Sequence, residues 1–211
     1  MPSLLHIDSS PRAASISSRL AAAFVATWRQ QNPAGAVVHH NTSLERVPYL
    51  DEEMAEAFLD PAGQGTHERK RALACSDRFV DELLAADVLV LGAPMWNLSI
   101  PASLKAWIDM IVREGRTFAF TQTGVAALVP PGKKVSVFCA RGGAYPAGSA
   151  MRALDFQEPY LRAILGVIGL TQIEFIYAEC QSESPEAAAE GLASAERALA
   201  ALAGSLSLSV P

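Results

Sequence analysis

Short and almost continuous apolar segments recur along the chain, separated by stretches with helical periodicity. The segments that we predict as strands are Leu4–Asp8, Ala36–His40, Val88–Ala93, Val135–Cys139 and Gln172–Ala178. Strands that are apolar over most of their length suit a parallel sheet buried on both faces. Because helical segments lie between the strands, the pattern predicts a doubly wound α/β domain with helices on both faces of its sheet.

The helical stretches carry apolar faces. In the first, Leu20, Phe24 and Trp28 repeat at four-residue spacing. Pro101 suits the first turn of another helix, which we expect to end near Gly115. Further helices are predicted over Asp51–Leu59, Glu68–Ala86 and Leu154–Ile168 and from Pro185 onward.

Two segments fall outside this alternation. Pro61–Thr66 is predicted as a surface loop, and Thr117–Pro131 as an excursion above the sheet. Neither a repeat nor a linker is visible, so we expect residues 1–211 to form a single domain.

Charge and cysteine usage exclude several classes of protein. The chain has 17 Lys and Arg against 22 Asp and Glu, a net charge of −5, which argues against binding nucleic acid or an anionic membrane. Its three cysteines form no CxxC pair and no histidine completes a zinc-site spacing, so we expect neither a disulfide scaffold nor a metal. Without a visible signal peptide or a membrane-length apolar run, a reducing cytoplasmic location is expected.

A serine-rich loop follows the first predicted strand. Ser10, Ser15 and Ser17 lie between Asp8 and the first helix. Ligands of α/β sheets bind beyond the carboxyl ends of strands, and a helix N-terminus attracts an anion. The GxGxxG pattern and the Walker lysine are absent, so the loop suits a phosphate monoester held without Mg²⁺. Alternatively, Ser15 or Ser17 only caps the helix.

Two more loops are expected at the same edge of the sheet. The third strand leads into Met95, Trp96 and Asn97, which could wrap a flat ring, although core packing is the usual role of Met and Trp. The fourth leads into Gly142 and Gly143, which allow either a close backbone approach to a ligand or a plain turn. In a sheet of order 2-1-3-4-5, these strands are neighbours and the switch point lies between the first and third. We therefore predict one ligand site there.

Other chemistry-bearing residues form no convincing constellation. No GxSxG motif is present. His6, His39 and His40 fall in or beside predicted strands, where a packed or edge histidine is the usual role. Cys139 is interpreted as a small buried residue rather than a reactive thiol.

In their order along the chain, these segments resemble the FMN-dependent NADH azoreductases, a branch of the flavodoxin-like quinone reductases. The matching segments are Ser9–Arg12, Ser15–Ser17, Ala93–Asn97, Leu104–Asp109, Arg116–Thr121, Arg141–Gly143 and Pro159–Leu161. The resemblance runs nearly end to end. It implies a flavodoxin-like five-stranded parallel sheet and a homodimer with one FMN per subunit. It also implies alternating reactions, in which NADH or NADPH reduces the flavin and a quinone or azo compound then takes the electrons.

The resemblance also implies which residues bind the cofactor. Those expected at the phosphate are Ser10, Ser15, Ile16 and Ser17. Those expected around the isoalloxazine ring are Met95, Trp96, Asn97, Leu98, Ala140, Arg141, Gly142 and Gly143. The Asn97 backbone is expected at the flavin N5, and Phe120 and Tyr145 at the mouth of a substrate pocket. No catalytic side chain is expected, because the flavin carries the chemistry.

The chain departs from the family pattern at three of these positions. Trp96 stands where Tyr is frequent, Leu98 where Phe is common, and Ala140 where Ser is frequent. The first two bear on substrate range, and the third removes one hydroxyl.

Two other functions remain open from the residues. A flavodoxin-type electron carrier would not oxidise NAD(P)H, but such carriers are usually more acidic than this chain. A phosphoester hydrolase would use the serine loop as its anion site, but the sequence offers no clear nucleophile–base pair or metal cluster.

Overall fold

A computed structural model describes residues 1–59 and 67–206, and the predicted loop Pro61–Thr66 lies outside these residues. In chain order the elements are β1 (Ser3–Asp8), α1 (Ile16–Gln31), β2 (Ala36–Asn41), α2 (Glu52–Leu59), α3 (His67–Ala85), β3 (Val88–Pro94), α4 (Ala102–Ile111), β4 (Phe118–Thr121), β5 (Gly124–Ala127), β6 (Lys134–Ala140), α5 (Glu158–Val167), β7 (Gln172–Ala178) and α6 (Pro185–Leu206). A 3₁₀ helix, Ala150–Leu154, precedes α5.

Five strands form a sheet of order β2-β1-β3-β6-β7, and all of its neighbours pair in parallel. This confirms the predicted order 2-1-3-4-5, since β6 and β7 are the fourth and fifth predicted strands. The central strand β3 is buried at every position, as expected of a strand covered on both faces.

Alternate residues of β1 enter two separate cores. Leu5 and Ile7 pack in the core that contains Trp107 of α4. Leu4 packs in the opposite core with Phe24 and other apolar residues of α1. By the same alternation, His6 and Asp8 lie on the α1 face of the sheet. The predicted apolar face of α1 is confirmed, because its apolar residues are buried.

The structure differs from the predicted elements at three places. Helix α4 ends at Ile111 rather than near Gly115, because the Arg113 N–H donates to the Thr117 hydroxyl at 2.8 Å instead of continuing the helix. The excursion Thr117–Pro131 contains the antiparallel hairpin β4–β5, whose four-residue strands are too short to show a pattern in the sequence. Helix α5 begins at Glu158 rather than at Leu154. The carboxylate of Asp155 accepts the backbone N–H groups of Gln157 at 3.0 Å and of Glu158 at 3.1 Å, which fixes the first turn. No helix among the described residues is long and apolar enough to cross a bilayer.

Helix α6 approaches the end of β7 closely at Gly191. A Cβ added there would lie 2.1 Å from the carbonyl oxygen of Glu179, a distance that forces the helix or the strand to move. Farther along α6, a Cβ added at Gly204 would meet no atom within 4 Å.

We therefore expect Gly191→Ala and Gly204→Ala to have opposite effects on stability. Within a helix, Gly→Ala normally stabilises by up to ~1 kcal/mol, which is the expected direction at Gly204. At Gly191, overpacking should instead lower the free energy of unfolding by ~1–3 kcal/mol. Urea unfolding of the two variants and the parent measures both. Equal stabilisation at the two positions would contradict the close packing of α6 on β7.

Candidate functional site

The loops that follow β1, β3, β6 and β7 surround a cavity of about 380 Å³ at the carboxyl edge of the sheet, which we call the edge cavity. Its lining residues are Ser10, Arg12, Ser15, Ile16, Pro94, Met95, Trp96, Asn97, Ala140, Arg141, Gly142, Gln181 and Ser182. Nine of the twelve predicted cofactor-binding residues are in this set, whereas Ser17, Leu98 and Gly143 are not. The three predicted loops thus meet at one place.

The serine loop is built around the N-terminus of α1. Ser15 is the N-cap, and its hydroxyl accepts the N–H of Ser18 at 3.2 Å. The Ser17 hydroxyl is fully buried and lies 3.1 Å from that of Ser15. The first turn carries no acidic residue, so no carboxylate of its own opposes an incoming anion. Ser15 therefore caps the helix, which is one of the two roles considered from the sequence, and it also lines the edge cavity.

The loop after β3 reverses direction at Asn97 and Leu98. Trp96 and Ser99 exchange two backbone hydrogen bonds, of 2.9 Å and 3.0 Å. Asn97 and Leu98 both adopt left-handed backbone conformations, with φ of 46° and 71°. Asparagine tolerates this region and leucine does not, so Leu98 stores backbone strain. The carbonyl of Leu98 accepts the N–H of Phe156 at 3.0 Å, which helps to hold the strained turn.

Arg141 is buried beside the edge cavity, with only 1% of its surface exposed. Its guanidinium lies 3.2 Å from the Asp155 carboxylate and 4.0 Å from the centre of the Tyr177 ring. Its Nε donates to the Gln157 side chain at 3.0 Å, and the amide of Gln157 donates to the carbonyl of Ala93 at 2.9 Å. The side chain of Arg141 is thus a support that connects the loops after β3 and β6.

The shifted pKa values around Arg141 keep Glu158 charged and Tyr177 neutral. Burial alone would raise the pKa of Glu158, but hydrogen bonds from Arg162 and Arg152 outweigh it and lower the pKa to about 2. Burial, together with the hydrogen bond to Glu158, raises the pKa of Tyr177 above its usual range, so its ring stays neutral beneath Arg141. Complete burial raises the pKa of Cys139 to about 12, which agrees with a packed thiol rather than a reactive one.

Sequence reasoning missed four residues of the edge cavity, namely Arg12, Pro94, Gln181 and Ser182. Gln181 and Ser182 follow β7, and their N–H groups donate to the carbonyls of Arg141 at 2.9 Å and Gly142 at 3.0 Å. A Cβ added at Gly142 would lie 3.2 Å from the Ser182 hydroxyl, so the two loops approach closely. The only sequence signal for these four residues was their position after a predicted strand, since the loops that follow parallel strands all lie at the same edge of the sheet.

The two predicted substrate-pocket residues lie apart from the edge cavity. Phe120 is 67% exposed on β4 and lines a separate cleft. Tyr145 is buried, and its N–H donates to the Glu179 carboxylate at 3.2 Å. A larger groove of about 1160 Å³ adjoins the edge cavity and shares Trp96 and Asn97 with it. Apolar side chains such as Val47, Ile100 and Tyr160 also line this groove.

A serine-rich loop that ends at a helix N-terminus, beside a cleft at the switch point between β1 and β3, is typical of a flavodoxin-type α/β protein. The model of the flavodoxin-like fold family matches residues 2–203. The chain belongs to this family, which confirms the predicted fold and the resemblance.

Named relatives extend the comparison over nearly the whole chain. An FMN-dependent NADH:quinone oxidoreductase of a Nostoc species is 46% identical over 95% of this chain and 97% of its own. A similarly named protein of Pseudomonas aeruginosa is 42% identical over 100% of this chain and 98% of its own. Among solved structures, an azoreductase of Bacillus anthracis has a TM-score of 0.86 and 30% identity, covering 96% of this chain and 99% of its own.

The strain at Leu98 predicts an unusual order of stability between two variants. Leu98→Gly and Leu98→Ala both remove the side chain, but only glycine relieves the left-handed backbone. We expect the glycine variant to be more stable than the alanine variant by ~1 kcal/mol in urea unfolding. At Val38, on an edge strand and 40% exposed, the alanine variant should be the more stable of the corresponding pair. The same order at both positions would contradict strain at Leu98.

Proposed function

We propose that this protein is an FMN-dependent oxidoreductase that takes a hydride from NADH or NADPH and reduces quinones and azo compounds. The observation that carries the proposal is the meeting of an anion loop and a strained ring-side loop at one edge cavity. The names of the relatives support the cofactor, the NADH donor and the quinone acceptor, and the azoreductase structure supports the azo acceptor.

The serine loop fits a phosphate monoester such as that of FMN. Ser10, Ser15 and Ser17 are at least 96% buried, so their hydroxyls lie away from bulk water. They adjoin the free N–H groups of the first turn of α1, where the helix dipole favours negative charge. Hydroxyl and backbone donors hold a phosphate without a metal, and Arg12 adds one positive charge to the lining.

The remaining loops fit the edges of a flat ring. Among the described residues, none accepts a hydrogen bond from the backbone N–H of Asn97, Gly142 or Gly143. These donors would bind the polar edges of the isoalloxazine ring and stabilise negative charge that develops there. Bound FMN would supply the hydride and electron transfer, which needs no protein nucleophile. The chain's own part is to bind, orient and shield the ring.

The small volume of the edge cavity favours a reaction in two alternating steps. Since the edge cavity is only about 380 Å³, we infer that a nicotinamide and an acceptor do not bind beside the ring at the same time. Donor and acceptor would therefore enter in turn from the adjoining larger groove, whose apolar walls suit flat aromatic molecules. This is a ping-pong mechanism.

We also propose a cytoplasmic homodimer. Several large apolar side chains are exposed, among them Phe120 at 67% and Val125 at 50% on the hairpin, and Tyr49 at 70% in the larger groove. A second copy would cover such surface. The unpaired cysteines agree with a reducing compartment. A monomeric mass by light scattering at micromolar concentration, with full activity, would contradict the dimer.

Anaerobic titration with NADH tests the proposed function. The purified protein should release FMN on denaturation, and one equivalent of NADH should bleach its visible absorption rapidly. Initial rates at several fixed quinone concentrations should give parallel double-reciprocal lines. Failure of NADH to bleach bound flavin would instead support an electron carrier, and intersecting lines would contradict the alternating steps.

Replacing Ser15 and Ser17 together by Ala tests the phosphate loop. Loss of two charge-assisted hydrogen bonds, each of ~1.5–3 kcal/mol, should weaken FMN binding by about two to four orders of magnitude. Loss of the Ser15 cap should also lower apoprotein stability by ~1 kcal/mol. Thr27→Ala is the matched control, because this hydroxyl lies farther along α1 and donates to the carbonyl of Ala23 at 3.2 Å. An unchanged FMN dissociation constant with a destabilised apoprotein would leave capping as the only role.

A further inference from the structure

Three potential metal ligands meet between β1 and β2, outside the edge cavity. His6 and Asp8 lie on the same face of β1, and His39 is the register partner of His6 on β2. The Asp8 carboxylate oxygen Oδ2 lies 3.4 Å from Nε2 of His6 and 3.2 Å from Nε2 of His39. All three ligand atoms lie within 4.8 Å of one another.

The inner half of this cluster is buried and incompletely paired. His6 is 5% exposed and Asp8 is 6% exposed. Among the described residues, His6 Nε2, which faces the Asp8 carboxylate, has no hydrogen-bond partner of good geometry. A buried polar atom without a partner costs free energy unless water or an ion satisfies it. A cation bound by the neutral imidazole of His6 would satisfy this nitrogen, and the Asp8 carboxylate would offset the charge of the cation.

The two separations between the carboxylate oxygen and the imidazole nitrogens agree with a tetrahedral metal site. Zinc bonds to imidazole nitrogen and carboxylate oxygen are about 2.0–2.1 Å, which places neighbouring ligand atoms of a tetrahedron about 3.3–3.4 Å apart. The two measured separations are 3.4 Å and 3.2 Å. We propose that His6, Asp8 and His39 form a binding site for a zinc-type divalent cation.

The ligand set selects the class of metal. Two imidazole nitrogens and one carboxylate suit Zn²⁺ or Co²⁺, whereas Mg²⁺ and Ca²⁺ require mainly oxygen ligands. Three protein ligands leave the fourth position of a tetrahedron to water. The His39 side chain is 50% exposed, so the site has an entrance from solvent.

This proposal departs from the expectation, drawn from the sequence, of no metal site. A search for zinc motifs along the chain misses the cluster, because His39 is 31 residues from Asp8 and joins it only through the strand register. None of the three residues lines the edge cavity, so the proposal does not depend on the proposed flavin chemistry.

Zinc titration of the purified, flavin-containing protein without a polyhistidine tag tests the site, after dialysis against a chelator. We expect one Zn²⁺ per chain by calorimetry. We also expect Co²⁺ to give the intense visible absorption typical of tetrahedral coordination. His39→Gln should weaken Zn²⁺ binding at least tenfold, and His6→Gln should do the same from the buried side. His67→Gln, at an exposed histidine on α3, is the matched control and should leave binding unchanged.

A second measurement separates ligation from a change of fold. Saturating Zn²⁺ should raise the midpoint of thermal unfolding of the parent and of His67→Gln, but not of His39→Gln. Absence of stoichiometric binding would overturn the proposal. So would equal Zn²⁺ affinity in His39→Gln, or a weak, octahedral-type Co²⁺ spectrum, and the cluster would then be a hydrogen-bonded pair of histidines on a carboxylate only.

Discussion

The buried charge of Arg141 is the constraint on which the rest of the site depends. A guanidinium that is 99% buried must be paired, and removal of one partner of a buried pair typically costs ~3–5 kcal/mol. Asp155 supplies the pair and also fixes the first turn of α5. The Gln157 side chain accepts a hydrogen bond from Arg141 and donates one to the carbonyl of Ala93, so it links Arg141 to β3. One side chain therefore couples the loop after β6 to that after β3.

The same coupling explains how a strained turn persists beside an open cavity. Leu98 occupies the left-handed region, and its carbonyl is held by the N–H of Phe156, the residue that follows Asp155. The segment that pairs with Arg141 is thus also the segment that restrains Leu98. Because contacts within the protein hold the turn, the Asn97 N–H has a fixed direction, which lowers the entropy cost of binding a ligand there.

Structural features that follow from local sequence patterns were predicted, whereas features that follow from strand register or from side-chain burial were missed. Apolar strands and one-sided helices predicted a doubly wound parallel sheet with three loops at one edge, and the flavodoxin-like resemblance implied the strand order. The hairpin β4–β5 was missed because its strands are only four residues long. Arg141 lines the edge cavity, and its side chain is paired with Asp155 and Gln157, contacts that only packing decides. His39 lies beside His6 because of the register between β1 and β2, which the spacing of residues along the chain does not reveal.

Three positions depart from the family pattern, namely Trp96, Leu98 and Ala140. Each forms backbone hydrogen bonds around the edge cavity, and these bonds do not depend on the side chain at the position. Trp96 uses both its N–H and its carbonyl in the pair with Ser99, so the turn does not depend on which aromatic ring it carries. The carbonyl of Ala140 accepts the N–H of Met95 at 2.8 Å, a bond that serine in its place would not alter. Leu98 is held through its carbonyl by Phe156. Of the three side chains, that of Trp96 is 47% exposed and borders both the edge cavity and the larger groove. Variation at this position therefore acts on what the groove presents to an incoming molecule, while the backbone donors remain where they are.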